Sequence, residues 1–166
     1  MLFGKKNKKL YIYSLRDPDN NKVFYIGRTV DPETRLSSHI GETKRLFAYA
    51  KIDIDSKRLS GFVYKRLKSV AFKNNIPNVR KHLWIQNILK RGKQPTMLIE
   101  DVWDGWKDTQ DANRLEDAWI AEMRRRKEPI QNYIYSRRQN PTWYSKEKGS
   151  ATPMQYIKKL KRIGIT

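Results

Sequence analysis

Two short segments near the start of the chain carry apolar and aromatic residues with a period of two, which is typical of β-strands. They cover residues 9–15 (KLYIYSL) and 22–28 (KVFYIGR), and the turn-forming run RDPDNN lies between them. This pattern predicts a β-hairpin with a loop longer than two residues. Alternation places Tyr13 and Ile12 on opposite faces of the first strand.

The segment after the hairpin predicts a helix from about residue 32. Asp31 is a good N-cap and Pro32 suits the first helical position. Arg35 and His39 follow with four-residue spacing, so one helical turn projects a permanent cation and an imidazole in the same direction. Arginine offers a planar fork for phosphate oxygens, and histidine can transfer protons near neutral pH. A solvated helix face would carry the same pair.

The middle of the chain predicts two further helical segments and a third strand. Residues 53–80 are strongly basic, and we expect a helical excursion with a solvated, basic outer face. Residues 81–93 (KHLWIQNILKRGK) predict a helix that Gly92 stops. Residues 95–103 (PTMLIEDVW) predict a strand.

Residues 111–127 form the most regular helical pattern in the chain. Its apolar stripe contains Ala112, Leu115, Trp119, Ile120 and Met123. Glu116 lies inside this stripe, where a carboxylate is costly unless it is paired or bound to a cation. The alternatives are a residue at the stripe's edge or half of a buried ion pair with Arg35. Glu122 lies away from the stripe and is expected to be an ordinary surface charge.

Composition limits the class of protein. The 166 residues fit one domain, and 36 Lys and Arg against 17 Asp and Glu give a net charge of +19. Such an excess predicts a polyanionic partner, with nucleic acid favoured over a membrane surface or another acidic partner. Cysteine is absent and only two histidines are present, which argues against thiolate zinc and histidine-built metal sites. No apolar run approaches the ~20 residues that span a bilayer, and we expect a cytoplasmic protein.

The hairpin tyrosines are candidates for chemistry on a phosphate. A phenol can act as a base or position a water if nearby cations stabilise its anion. Tyr13 and Tyr25 would serve equally well as aromatics that fill a core. Gly27 allows a close backbone approach, and Arg28 would extend toward whatever lies at that end of the strand.

Taken in order, these segments resemble the GIY-YIG nuclease superfamily. The two name-giving triplets appear as Tyr11-Ile12-Tyr13 and Tyr25-Ile26-Gly27, although the family usually has glycine where this chain has Tyr11. The stretch YIGRTVDPETRLSSHI is similar to the family's Tyr-Ile-Gly-x-Thr and Arg-x3-His signature. LEDAWIAEMRRRKEPIQN resembles its Glu-x-x-Trp-Ile helix followed by Asn132. WIQNILKRGKQPTMLIEDV is similar to the phage and homing-endonuclease branch.

This resemblance implies an α+β fold, a small three-stranded antiparallel sheet flanked by helices. It also implies metal-dependent hydrolysis of DNA. The catalytic residues would be Tyr13, Tyr25, Arg35, His39 and Glu116, with Gly27, Arg28 and Asn132 in support. The base could be either Tyr13 or His39. One inward carboxylate, Glu116, suits a single Mg²⁺, with Mn²⁺ also possible.

The resemblance also implies a division of the chain. We expect a nuclease domain over residues 1–134, with a basic insertion at about 53–80, and a basic arm with a short helix over 135–166. The partner would be double-stranded DNA in a prokaryotic or phage-infected cell. Expected contacts to it are Lys57, Arg58, Lys65, Arg66, Lys68, Arg137, Arg138, Lys158 and Lys159. The rival reading is a non-catalytic basic nucleic-acid-binding protein on a degenerate nuclease fold. The sequence leaves the oligomeric state open.

Overall fold

The computed structural model describes residues 9–52, 61–104, 106 and 109–132. Its strands are β1 (Leu10–Arg16), β2 (Val23–Thr29) and β3 (Thr96–Trp103). Its helices are α1 (Pro32–Ala50), α2 (Gly61–Lys73), α3 (Val79–Lys90) and α4 (Thr109–Arg125). The predicted three-stranded antiparallel sheet flanked by helices is therefore confirmed.

The sheet has the order β2-β1-β3, and both strand pairs are antiparallel. The β1–β2 hairpin sets Tyr13 opposite Gly27. Alternation along β1 then gives the two faces different cores, because Ile12 packs in one cluster and Tyr13 in another. Catalytic candidates on the Tyr13 face consequently lie under α1 and α3.

Helix α4 covers the opposite face of the sheet. Its predicted stripe is confirmed, since the following residues all lie in one buried cluster with Ile12: Ala112, Leu115, Trp119, Ile120 and Met123. The expectation for Glu122 is wrong, because only 1% of this residue is exposed. Arg125 and Arg126 both donate to its carboxylate, and the hydrogen bonds from Arg125 lower its pKa. Two arginines, one in the last turn of α4 and one directly after it, thus allow the Glu122 carboxylate to be buried beside the stripe.

Helices α1, α2 and α3 form a second layer on the Tyr13 face. Helix α2 lies within the basic segment predicted to be helical, and its buried Leu67 and Ala71 pack with Leu46 and Phe47 of α1. Helix α3 ends before Gly92, whose φ of +70° is the left-handed conformation that favours glycine. In the described ranges, each helix falls short of the length and apolarity needed to cross a bilayer.

Candidate active site

The centre of the site is the contact between Tyr13 and Gly27. A Cβ atom on Gly27 would lie 2.3 Å from Tyr13 Oη and 2.5 Å from Tyr13 Cζ, so the phenol occupies the space that a side chain would fill. Tyr25 lies on the same face, with its ring centroid 6.4 Å from that of Tyr13. The glycine of the second triplet is therefore required for packing, in agreement with the close approach expected of Gly27.

Helix α1 supplies the next two groups. Asp31 caps its first turn by accepting a hydrogen bond from the Thr34 amide, and Pro32 occupies the first turn as predicted. The next turn brings Arg35 and His39 onto one phenol. Tyr13 Oη lies 2.6 Å from His39 Nε2 and 3.0 Å from Arg35 Nε.

The direction of one of these hydrogen bonds follows from its donor. The guanidinium can only donate, so Tyr13 Oη accepts from Arg35. The direction of the bond between Tyr13 Oη and His39 Nε2 depends on which ring nitrogen of His39 carries the proton. His39 is fully buried, so the alternative of a solvated helix face is wrong for this residue.

Burial sets the protonation states of this pair. It raises the pKa of Tyr13 to about 12, although Arg35 opposes part of the rise. Burial lowers the pKa of His39 to about 2, and the charges of Lys81 and Arg35 lower it further. At neutral pH the resting pair is consequently a phenol and a neutral imidazole.

Tyr25 joins this pair to helix α3. Its ring meets the His39 ring edge-on, with centroids 5.6 Å apart, and Lys81 Nζ lies 4.8 Å from its centroid. Burial raises the Tyr25 pKa well above its usual 10, and the neighbouring Tyr13 raises it further. Tyr25 is therefore also a phenol at neutral pH.

Glu116 reaches the site from α4, on the other side of the sheet. Its carboxylate pairs with Arg28 at the end of β2, with 3.3 Å between Oε2 and Nε. The alternative that paired Glu116 with Arg35 is therefore wrong, because the nearer strand end supplies the guanidinium. Burial is the largest cause of the raised pKa of Tyr13 and Tyr25, and the charge of Glu116 raises both further.

These groups meet at a cleft of about 460 Å³. Five polar or charged side chains line it, namely those of Tyr25, Arg28, Thr29, Arg35 and Glu116. Its remaining walls are Leu10, Val30 and Trp106. Tyr13 is buried behind these lining groups, with Arg35 in contact with both its hydroxyl and the cleft.

Asn132 holds the strand that carries two of these groups. Its Oδ1 accepts from the Ile26 amide at 3.0 Å, and its Nδ2 donates to the Ile26 carbonyl at 2.8 Å. The residue between Tyr25 and Gly27 is thus clamped through both of its backbone groups. The supporting role of Asn132 in the site stays a prediction.

Comparison with protein families identifies the arrangement. The model of the GIY-YIG catalytic domain matches residues 9–129, which is more than half of the chain. The chain belongs to the GIY-YIG family. Comparisons with curated proteins and with solved structures gave no match. GIY-YIG proteins are nucleases, so the family points to a nucleic-acid substrate and to phosphodiester hydrolysis in general.

A lysine missed by the sequence reasoning lies against Tyr25 at this GIY-YIG site. Lys81 is 2% exposed, and burial lowers its pKa from 10.5 to about 8. Its spacing from Ile85 and Ile88 in α3 places it on the buried stripe, so the sequence carried a signal for it. His82 follows it, also fully buried, with Nδ1 2.7 Å from Thr43 Oγ1.

GIY-YIG nucleases generally depend on a metal ion. Glu116 is the carboxylate among the residues that line the cleft. Within residues 9–52, 61–104, 106 and 109–132, no three histidine or acidic side chains form a metal-binding group. Mg²⁺ tolerates so sparse a set, since it retains several waters and takes phosphate oxygens as ligands. The carboxylate lines the cleft, where such a hydrated ion could reach it.

The basic residues expected to contact nucleic acid divide into two groups. Lys65, Arg66 and Lys68 lie on α2, and all three are exposed. The others fall outside the described residues, and they are Lys57, Arg58, Arg137, Arg138, Lys158 and Lys159. The arm expected over 135–166 falls there as well.

Proposed function

We propose that this GIY-YIG protein is a metal-dependent endonuclease that hydrolyses phosphodiester bonds of double-stranded DNA, with one active site per chain. The observation that carries the proposal is the convergence on one cleft of a phenol, two guanidinium groups and a carboxylate. Behind them lies the buried pair of Tyr13 and His39. Phosphodiester hydrolysis needs groups that bind the phosphate, accept a proton from water and stabilise developing charge.

Arg35 and Arg28 would bind the scissile phosphate. Arg35 donates Nε–H to Tyr13, which orients its planar group and leaves the terminal nitrogens as a fork for phosphate oxygens. Arg28 is held at the cleft by Glu116. Both charges are fixed before substrate arrives, so little reorganisation is needed as negative charge develops.

Tyr13 and His39 would move the proton of the attacking water. The phenol oxygen has two lone pairs, and Arg35 uses one of them. As a phenolate, which the Arg35 guanidinium favours, Tyr13 would accept the proton of the attacking water and return to the phenol. His39 Nε2, 2.6 Å from the same oxygen, would hold the hydroxyl in position. Tyr25, which lines the cleft, would orient the water or the phosphate.

Glu116 would hold a single divalent ion, Mg²⁺ or Mn²⁺, together with waters and a phosphate oxygen. When bound, the ion would polarise the phosphate and neutralise charge on the leaving oxygen. Arg28 Nε lies 3.3 Å from this carboxylate in the structure, so Glu116 would also keep Arg28 beside the phosphate.

The rival is a binding protein on a degenerate nuclease fold. Surface cations suffice for that task, and it has no need of a phenol and an imidazole hydrogen-bonded in the core. The chain has all five of the candidate catalytic residues, and this favours the enzyme. These residues are Tyr13, Tyr25, Arg35, His39 and Glu116.

Finer points belong to the same proposal. By resemblance, the Glu-x-x-Trp-Ile helix favours a homing or phage-type enzyme, acting in a prokaryotic or phage-infected cell. The WIQNILKRGKQPTMLIEDV stretch is similar to the same branch. A nuclease domain over 1–134 and a DNA-contacting arm over 135–166 remain our division of the chain. One active site cuts one strand per event, so a double-strand break would need two chains or successive nicks.

Nicking of supercoiled plasmid in Mg²⁺ tests the proposal. We expect Glu116→Ala to abolish nicking while leaving duplex binding, measured without metal, nearly unchanged. Glu33→Ala is the matched control, since Glu33 is exposed in the first turn of α1 and lies outside the cleft. Full activity of Glu116→Ala would place the metal ligand elsewhere, and absence of nicking by the wild-type protein would favour the binding protein.

A further inference from the structure

Two phenylalanines of helix α2 point away from the protein core. Phe62 is 75% exposed and Phe72 is 86% exposed. Leu67 and Ala71 of the same helix are buried against α1, so the two phenylalanines lie on its outer side. Burying an aromatic ring is strongly favourable, and leaving two exposed forgoes that stabilisation.

Basic side chains surround these rings. We call the outer side of α2, formed by Phe62, Lys65, Arg66, Ser69, Phe72 and Lys73, the α2 surface. All six residues are exposed, and their spacing repeats along one side of the helix. The helix GFVYKRLKSVAFK contains four lysines and arginines and no acidic residue. A partner that covers this surface must therefore be both anionic and able to accept aromatic rings.

We propose that the α2 surface binds duplex DNA, with Phe62 and Phe72 against base pairs of a groove and the neighbouring cations on its phosphates. This inference rests on the proposed function for its ligand. Duplex DNA satisfies both requirements, since its phosphates match the cations and its base-pair steps accept apolar wedges such as phenylalanine. A second copy of the α2 surface would instead bring like charges together.

The dimensions of the helix suit such a contact. Phe62 and Phe72 are ten residues apart, which is about 15 Å along a helix, or four to five base-pair steps. Both rings can therefore contact the same stretch of duplex.

The position of α2 separates this contact from the cleft. Helix α2 packs on the C-terminal half of α1, near Phe47, whereas Arg35 lies twelve residues earlier. That separation is about 18 Å along α1, or roughly five base pairs of duplex. The α2 surface would thus hold DNA at a distance from the scissile phosphate and select where the chain cuts.

The test measures binding of the full chain to a 30-base-pair duplex without divalent metal. We expect Phe62→Ala/Phe72→Ala to weaken binding by about tenfold or more, with the salt dependence unchanged. Lys65→Ala/Arg66→Ala should instead lower the slope of log affinity against log salt by about two. Leu98→Ala/Val102→Ala is the matched control, because these exposed apolar residues lie on β3, and it should bind as the wild type does.

A second measurement detects directly whether the phenylalanine rings unstack base pairs. A 2-aminopurine placed in the duplex should brighten when the wild-type protein unstacks a neighbouring step, and the double phenylalanine variant should lose this response. Unchanged affinity of that variant would overturn the inference. The inference would also be wrong if this variant bound DNA normally but lost binding to anionic vesicles, or lost a dimer detected by sedimentation.

The inference and the proposed function fail separately. If the wild-type protein nicks plasmid but the phenylalanine variant binds duplex normally, the inference alone is wrong. If binding depends on the phenylalanines but wild-type protein does not nick, the proposed activity alone is wrong.

Discussion

Tyr13 and Gly27 face each other so closely that the tyrosine hydroxyl fills the place of the glycine's missing side chain. The contact couples two strands to the proton-transfer pair, because the same hydroxyl bonds to His39 and Arg35. Moving the ring would break both hydrogen bonds together.

Gly27→Ala should therefore impair catalysis beyond its effect on folding. The added methyl group meets Tyr13 Oη and Cζ, and such overpacking costs about 1–3 kcal/mol in the free energy of unfolding. Displacement of Tyr13 should lower nicking about a hundredfold. Gly41→Ala is the control, since a Cβ there meets no atom within 4 Å, and it should gain about 0.5–1 kcal/mol as a helical alanine. Normal nicking by Gly27→Ala would contradict a role for the Tyr13 position.

Arg35→Ala should cost about 2–3 kcal/mol of transition-state stabilisation, comparable with losing one oxyanion donor. Arg35→Lys should recover only part of this loss, because an ammonium cannot bond Tyr13 and a phosphate through one planar group. Single-turnover nicking rates measure both changes. Arg45→Ala, an exposed arginine on the same helix, should react at the wild-type rate, and equal losses in both alanine variants would indicate a general charge effect.

Lys81→Met should stabilise the protein while altering the site. The fall in the Lys81 pKa from 10.5 to about 8 corresponds to about 3 kcal/mol against the buried ammonium, so methionine should raise the free energy of unfolding by about 1–3 kcal/mol. The pKa of His39 should rise, because Lys81 helps to lower it. Urea titration and NMR of the imidazole protons test the two effects. A destabilised variant would show that the contact with Tyr25 outweighs burial of the charge.

Folding stability should fall as pH drops below about 6.5. His39 and His82 have folded pKa values of about 2 and about 3, both lowered by burial, so the unfolded chain binds more protons between those values and 6.5. Each histidine should cost about 2 kcal/mol at about pH 5 relative to pH 7.5. Urea titrations at both pH values measure the loss. His82→Gln should remove about half of it, and stability that stays level would mean that the histidines are protonated in the fold.

The local patterns predicted the strands, the helix of Arg35 and His39, and the α4 stripe, because each depends on short-range periodicity and caps. The partners of buried charges were less predictable. Glu122 looked like a surface residue because its two arginine partners lie outside the stripe. Glu116 pairs with Arg28 and not Arg35, since that choice depends on how a strand end and a distant helix meet in space.

Lys81 shows a different limit of prediction from the sequence. Its spacing with Ile85 places it on the buried stripe of α3, but lysine is so seldom buried that this signal is outweighed in the sequence. The Tyr25 ring that accepts its ammonium lies on a strand far away in the chain.

The outer edge of β2 has a consequence for where the domain can be cut. Glu128 accepts from the Val23 amide, the Gln131 amide donates to the Phe24 carbonyl, and Asn132 bonds Ile26 on both sides. These hydrogen bonds to β2 continue to Asn132, beyond residue 129, where the family match ends. Truncation at 129 would remove the bonds from Gln131 and Asn132 and leave the edge of β2 open to aggregation. A minimal expression fragment must therefore extend at least through Asn132.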